Sequence, residues 1–168
     1  KDSIDYPGPL YIRMGKGGDP IVSKNDGQFK IGKAIILREP GDIAIIACGV
    51  TVSRALEAAE ILEKKGINCG VINMHTLKPL DSHTVKQVAK KVRYLITLEE
   101  HSIHGGLGSM ICSLLLDRVE GPLPKVIRVG IPDEFPSSYG SQDTLMKKYG
   151  LGSKQIVRQI LEKYEKLS

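Results

Sequence analysis

Tryptophan is absent from the 168-residue chain, phenylalanine occurs twice, and all aromatics together make up 5%. No basic run interleaved with aromatic side chains stands behind the formal charge of +5, so the pattern of a nucleic-acid-binding surface is missing. The lysines sit instead in pairs, Lys64-Lys65, Lys90-Lys91 and Lys147-Lys148, at the ends of expected helices, where cations complement the helix dipole. This reads as a solvated basic surface with no nucleic-acid partner. Long apolar runs are also lacking. No stretch approaches the roughly 18–20 residues of a membrane span, and no membrane partner is expected. Cysteine occurs three times, at Cys48, Cys69 and Cys112, without a C-x-x-C pair. Each lies in an apolar run, which reads as core thiols in a reducing compartment. The opening Lys1-Asp2-Ser3-Ile4-Asp5 is polar and holds no secretory core, so a cytoplasmic location is expected.

What is present is ordinary for a globular domain: 41% hydrophobic and 26% charged residues. The length corresponds to about one domain, large enough to bury about 70% of its extended surface without a disulfide or metal staple. The first 40 residues differ from the rest. A Pro/Gly turn precedes a short expected strand in Tyr6 to Arg13, and Met14 to Lys30 reads as a linker. Phe29 to Leu37 has strand character and suits a hairpin or sheet-edge extension.

From Pro40 onward the pattern is regular. Ile43 to Cys48 is a continuous apolar run, as in a parallel strand buried on both faces. Thr51 or Ser53 is placed to cap a helix with Ala55, Ala58, Ala59 and Leu62 inward, closed by Lys64-Lys65-Gly66. The unit repeats. Cys69 to Met74 is a strand, Leu77 to Leu80 a turn, and Asp81 an N-cap for a helix with Val85, Val88, Ala89 and Val92 inward. Tyr94 to Leu98 is a third strand, followed by a glycine turn and a helix with Leu107, Ile111, Leu114 and Leu115 inward. Lys125 to Val129, a loop from Pro132 to Gly140, a short helix from Gln142 to Tyr149 and a final helix capped by Ser153 complete the pattern. Alternating strands and helices mean right-handed βαβ crossovers. The expected fold is a three-layer α/β/α domain with a mostly parallel five-stranded sheet.

Ligands of open α/β sheets sit at the carboxyl ends of the strands. That edge collects Gly49-Val50-Thr51, Met74-His75-Thr76, Glu99-Glu100-His101 and Gly130 to Phe135. Glu99, Glu100, His101 and His104 have the chemistry of acid/base or metal groups, or of a structural or interfacial cluster. No second Cys/His cluster supports zinc. His104-Gly105-Gly106-Leu107-Gly108-Ser109 is a glycine loop before a helix, whose amides suit an anion or simply a tight turn. It matches neither G-x-G-x-x-G nor a Walker loop. Ser53 and Ser109 lack a nucleophile elbow. Asp133, Glu134 and Asp143 are acids in or beside the closing loop, and His75 and His83 read as surface or turn histidines.

These segments together resemble one superfamily. Gly8 to Gly17 resembles the end of the pyrimidine-binding domain of transketolases and 1-deoxyxylulose-5-phosphate synthases. Gly32-Lys33-Ala34, with Ile43 to Gly49 and Val52 to Ala59, is similar to the first strand and helix of their C-terminal domain. The most specific segment is Val71-Ile72-Asn73-Met74-His75-Thr76-Leu77-Lys78-Pro79-Leu80-Asp81. Glu99-Glu100-His101 with Gly105 to Ser109, and Asp133 to Ser141 with Leu145 and Lys148 to Leu151, fit the later segments. The resemblance implies that residues 1–32 are the end of a pyrimidine-binding domain and a linker, and that 33–168 are a transketolase C-terminal domain. The Lys1 start is then expected to mark a cut in something longer.

The parent activity it implies is thiamin-diphosphate-dependent transfer of a two-carbon ketol unit from a ketose to an aldose, in the pentose phosphate pathway. A divalent cation, magnesium, accompanies that cofactor in the full enzyme. The activating glutamate of the family lies upstream of this chain, and no G-D-G-type diphosphate motif is present here, so this fragment is expected to bind no cofactor and to be silent alone. Its implied role is subunit assembly, as a homodimer or a heterotetramer with an N-terminal thiamin-diphosphate-binding subunit, with an undefined regulatory site also possible in the family. Arg13 aligns with a strand-end arginine that contacts the sugar phosphate, a role suited to a planar guanidinium fork. The resemblance leaves open 1-deoxyxylulose-5-phosphate synthase and the beta subunit of a 2-oxoacid dehydrogenase as parents, and a non-catalytic dimerisation or regulatory module remains a different class of reading.

Overall fold

The computed structural model describes residues 2–15, 17–23 and 29–164. Lys1 and Lys16, and residues 24–28 of the expected linker, lie outside them. In chain order the elements are β1 (Ile35–Arg38), β2 (Ile43–Ala47), α1 (Thr51–Glu63), β3 (Cys69–Asn73), α2 (Ser82–Ala89), β4 (Tyr94–Ser102), α3 (Leu107–Arg118), β5 (Lys125–Ile131), α4 (Gln142–Lys148) and α5 (Ser153–Tyr164).

The five strands form one sheet in the order β1-β3-β2-β4-β5. Four are parallel, and β1 runs antiparallel to β3 at one edge. Parallel strands need helical crossovers, and the helices cover both faces. Ile43, Ile45 and Ala47 of β2 face α1 and α5, while Ala44 and Ile46 face α2 and α3. All of β2 and β3 is buried, which is why their sequences run apolar without alternation. This is the expected α/β/α architecture.

Three expectations change. Tyr6 to Arg13 is turn and coil, with Tyr11 and Ile12 exposed. A strand needs a partner ladder, and no strand of this sheet pairs with that segment. The third strand continues past Leu98 to Ser102, because β5 lies beside it as far as the Ser102–Ile131 pair, with an irregularity after Leu98. Thr51 is not a cap. Val50 occupies the N-cap position without a side-chain bond, and the Thr51 hydroxyl donates to the carbonyls of Cys48 (2.8 Å) and Leu98 (3.0 Å). Thr51 thus ties α1 back to β2 and β4.

Asp81 is an N-cap, as its place before a helical pattern indicates. Its carboxylate accepts from the Thr84 N–H (3.1 Å) and hydroxyl (2.8 Å), and from the Ala34 N–H (3.0 Å) ahead of β1. One side chain therefore starts α2 and pins the chain entering the edge strand. Burial pushes the Asp81 carboxyl up, but the hydrogen bonds from Ala34 and Thr84, with the Lys33 charge, outweigh it and hold the pKa below the usual carboxylate range. Asp81→Ala is expected to cost about 1–2 kcal/mol in urea unfolding at neutral pH. A depressed carboxyl pKa stabilises the fold above the unfolded value of about 3.9 and loses that contribution as pH falls through the folded value. The stability gap between wild type and Asp81→Asn should therefore shrink below about pH 4.

Candidate functional site

The carboxyl ends of β2, β4 and β5 gather most of the residues singled out from the sequence. Successive side chains of a strand point to opposite faces, and β4 uses this at its end. Glu99 turns toward α3. It is 1% exposed, and its two oxygens accept the N–H groups of Leu107 (2.7 Å) and Gly108 (2.9 Å). Glu100 reaches α4, where Gln142 Nε2 donates to its oxygens at 2.8 and 3.1 Å. The strand end thus braces one helix on each side of the sheet.

The first amides of a helix lack intrahelical acceptors. The N-cap residue of α3 is Gly106, which has no side chain to supply one. Glu99 supplies it from another element, and its charge suits the positive end of the helix. The glycines follow from this fit. A Cβ on Gly106 would run into the Glu99 carboxylate, and one on Gly108 would lie 2.6 Å from Thr97 Oγ1 and 3.0 Å from Arg128 Cδ. Ser109 completes the turn: its hydroxyl donates to the Ile103 carbonyl (3.1 Å) and accepts the Gly105 N–H (3.0 Å). Of the two readings of this loop, the close turn is the one realised. The anion held by its amides is the chain's own Glu99. A diphosphate finds no open cradle there, so the glycine loop does not fit the phosphates of a thiamin cofactor.

The other sequence candidates are more scattered. Arg13 is exposed, yet close enough to act on Cys48 at the end of β2. Burial first, then Glu99 and Glu100, push the Cys48 thiol up to about 12 against the Arg13 charge, which leaves it unreactive. His101 is half-buried on β4, His104 is exposed beyond it, and Asp133 is exposed in the loop after β5. Among the described residues, no three His, Cys, Asp or Glu side chains converge as a metal site.

Two features had no sequence signal. His75 stacks on Phe29 with ring centroids 4.2 Å apart, and its Nδ1 lies 2.9 Å from the Thr76 hydroxyl. Burial holds its pKa below the usual histidine value. Separately, a cleft of about 730 Å³ opens where α1, α4 and the start of α5 meet, beside Asp19 and Pro20. In it Asp143 bridges Arg54 (2.8 Å) and Lys147 (2.7 Å), and those hydrogen bonds hold its carboxyl below the usual range. The Phe29–His75 and Arg54–Asp143 contacts join residues 46 and 89 positions apart, which no local motif reports.

Removing Glu99 strands two amides at a buried helix end. Glu99→Ala should cost about 2–3 kcal/mol in urea unfolding. Gly106→Ala should cost about 1–3 kcal/mol by overpacking the same spot. Inorganic phosphate should raise the Tm of Glu99→Ala, whose amides are open to an anion, and leave that of the wild type unchanged; equal shifts in both would show that the slot is not filled by Glu99.

Residues 32–156 match the family described as transketolase, C-terminal domain. The chain is 38% identical over 164 residues to a putative transketolase C-terminal section of Methanocaldococcus jannaschii, covering 96% of this chain and 50% of that one. It is 39% identical over 166 residues to 1-deoxy-D-xylulose-5-phosphate synthase of Caldanaerobacter subterraneus subsp. tengcongensis, covering 98% of this chain and 26% of that enzyme. Among solved structures, a split-gene transketolase described as an inactive beta4 tetramer superposes with a TM-score of 0.83 at 39% identity, over 92% of this chain and 50% of that one. The chain thus spans half or less of these relatives. No described helix is long and apolar enough to cross a membrane. The sequence match and the superposition agree: the chain belongs to the transketolase C-terminal domain family.

Proposed function

We propose that this chain is the assembly domain of a split transketolase, which moves a two-carbon ketol unit between sugar phosphates. The observation that carries this reading is the fate of Glu99. Glu99, at the acidic end of β4, is committed to helix amides, a structural use. Thiamin diphosphate and its magnesium ion would be held by other domains, including an N-terminal subunit that pairs with two copies of this chain in a heterotetramer; a homodimer is the single-chain equivalent. Residues 2–15 would end the pyrimidine-binding domain and lead through the linker into the domain from residue 33. The exposed apolar side chains of Tyr11, Ile12 and Met14 support that role, since they find no partner in this sheet.

Arg13 would reach the sugar phosphate from this segment. Its guanidinium presents a planar donor fork and is exposed to solvent. In the assembled enzyme Arg13→Ala should raise KM for a phosphorylated sugar about 10- to 100-fold, as expected for losing about 1.4–2.8 kcal/mol of charge-assisted binding, with kcat changed far less. Equal KM values for wild type and variant would remove Arg13 from the substrate site.

The synthase relative supports a second reading, in which the parent condenses pyruvate with an aldose phosphate. Assaying the assembled enzyme with xylulose 5-phosphate and with pyruvate as alternative donors separates the two. Turnover of xylulose 5-phosphate alone is the expected outcome. Tight binding of thiamin diphosphate to this chain by itself, measured by calorimetry, would overturn the placement of the cofactor in other domains.

A further inference from the structure

Gly15 and residues 17–22, expected as part of a linker, lie on the domain. Val22 is half-buried and packs against the core on the α1 and α5 face of the sheet, while its neighbour Ile21 is exposed. Asp19 and Pro20 line the cleft between α1, α4 and α5. Gly15 lies against the N-cap of α1. A Cβ built on it would stand 3.8 Å from Val50 Cγ1 and would run into the Asp19 carboxylate. The chain therefore folds back so that Asp19 covers Gly15. Gly17 and Gly18, at φ 113° and 83°, supply the turn that only glycine adopts without strain.

Charge gives this docking a reason. Arg54, Lys147 and Lys154 line the cleft against Glu57 and Asp143. Asp143 alone holds both Arg54 (2.8 Å) and Lys147 (2.7 Å), so the helices leave a cation in excess. Asp19 brings the balancing carboxylate from the linker. The apolar part of the contact is Val22. A polar and an apolar anchor, three residues apart, thus hold one short stretch of chain to the domain.

Arg13 lies just ahead of this stretch. A free tether of about nine residues would spread its end over about 15–18 Å, whereas a functional group has to be held to about 0.5 Å. Resting on the place proposed above for Arg13 at the sugar phosphate, we infer that Asp19 and Val22 are positioning residues for it. They clamp the chain that carries Arg13 onto the start of α1, so this domain fixes the guanidinium from outside the substrate site.

Steady-state kinetics of the assembled enzyme, with a phosphorylated and an unphosphorylated ketose donor, test this. Asp19→Ala and Val22→Ser should each raise KM for the phosphorylated donor about 10-fold with little change in kcat. KM for the unphosphorylated donor should stay within about twofold, since it has no phosphate for Arg13 to hold. Gly15→Ala should act like Asp19→Ala, because its methyl takes the place of the carboxylate. Added to Arg13→Ala, none of these changes should raise KM further, because the contact they serve is gone. Val22→Ile should keep wild-type values. Asp19 is exposed, so Asp19→Ala should leave the Tm of the assembled enzyme unchanged. If Arg13→Ala raises KM and the linker variants do not, the clamp is overturned and Arg13 keeps its role, held by the preceding domain alone. Linker variants that raise KM for both donors alike, or that multiply the effect of Arg13→Ala, would also overturn the positioning role. An Arg13→Ala enzyme with the wild-type KM would remove both the Arg13 contact and this inference.

Discussion

The hydrogen bonds from the first amides of α3 to Glu99 are the contact on which the carboxyl edge of this domain depends. A helix that begins inside a protein must find acceptors for its leading N–H groups. Here the acceptor comes from the neighbouring strand and carries a full charge, which strengthens each bond relative to a neutral one. The position of Glu99 depends in turn on β4 continuing past Leu98, and that continuation depends on β5 beside it. Gly106 and Gly108 then follow as the residues that leave room for the carboxylate, Thr97 and Arg128. The end of β4, the glycine turn and the start of α3 are thus held together by one carboxylate and its two donors.

The opposite side of the same strand end carries a second brace. Because the strand period is two, Glu100 points away from Glu99 and meets Gln142 of α4. Thr51 adds a third tie, from α1 to the carbonyls of Cys48 and Leu98. Polar groups at a strand edge serve chemistry when they are free to exchange protons or ligands. These are already engaged by partners of the chain's own making. What the edge offers outward is shape: a cleft and a run of apolar side chains. This division fits a domain that places other domains.

The layers and their order were legible because parallel strands buried on both faces read as unbroken apolar runs, such as Ile43 to Ala47. Asp81 was legible because a cap acts three residues ahead in the same stretch of chain. Glu99 was visible as an acid at a strand end, but its role was not, since its donors lie eight and nine residues away across a strand-to-helix turn. Thr51 looked like a cap for the same reason that Asp81 is one. Its second partner, Leu98, is 47 residues distant, and no periodicity encodes that distance. The expected strand at Tyr6 to Arg13 had the composition of a strand and lacked what composition cannot supply, a neighbour to pair with.

The same distinction explains why the sequence points to a superfamily more sharply than to a substrate. The segments that carry the resemblance contain Asp81, Glu99, Gly106 and Gly108, and each of these is explained by helix starts and close packing. Residues of that kind are required wherever this sheet and these turns are built, whatever sugar or oxo acid the assembled enzyme takes. A transketolase section and a deoxyxylulose-phosphate synthase can therefore match this chain about equally well. Discrimination between donors has to come from groups that face the substrate. Under the proposed function Arg13 would take that place in this chain, beside the side chains that other domains would bring to it.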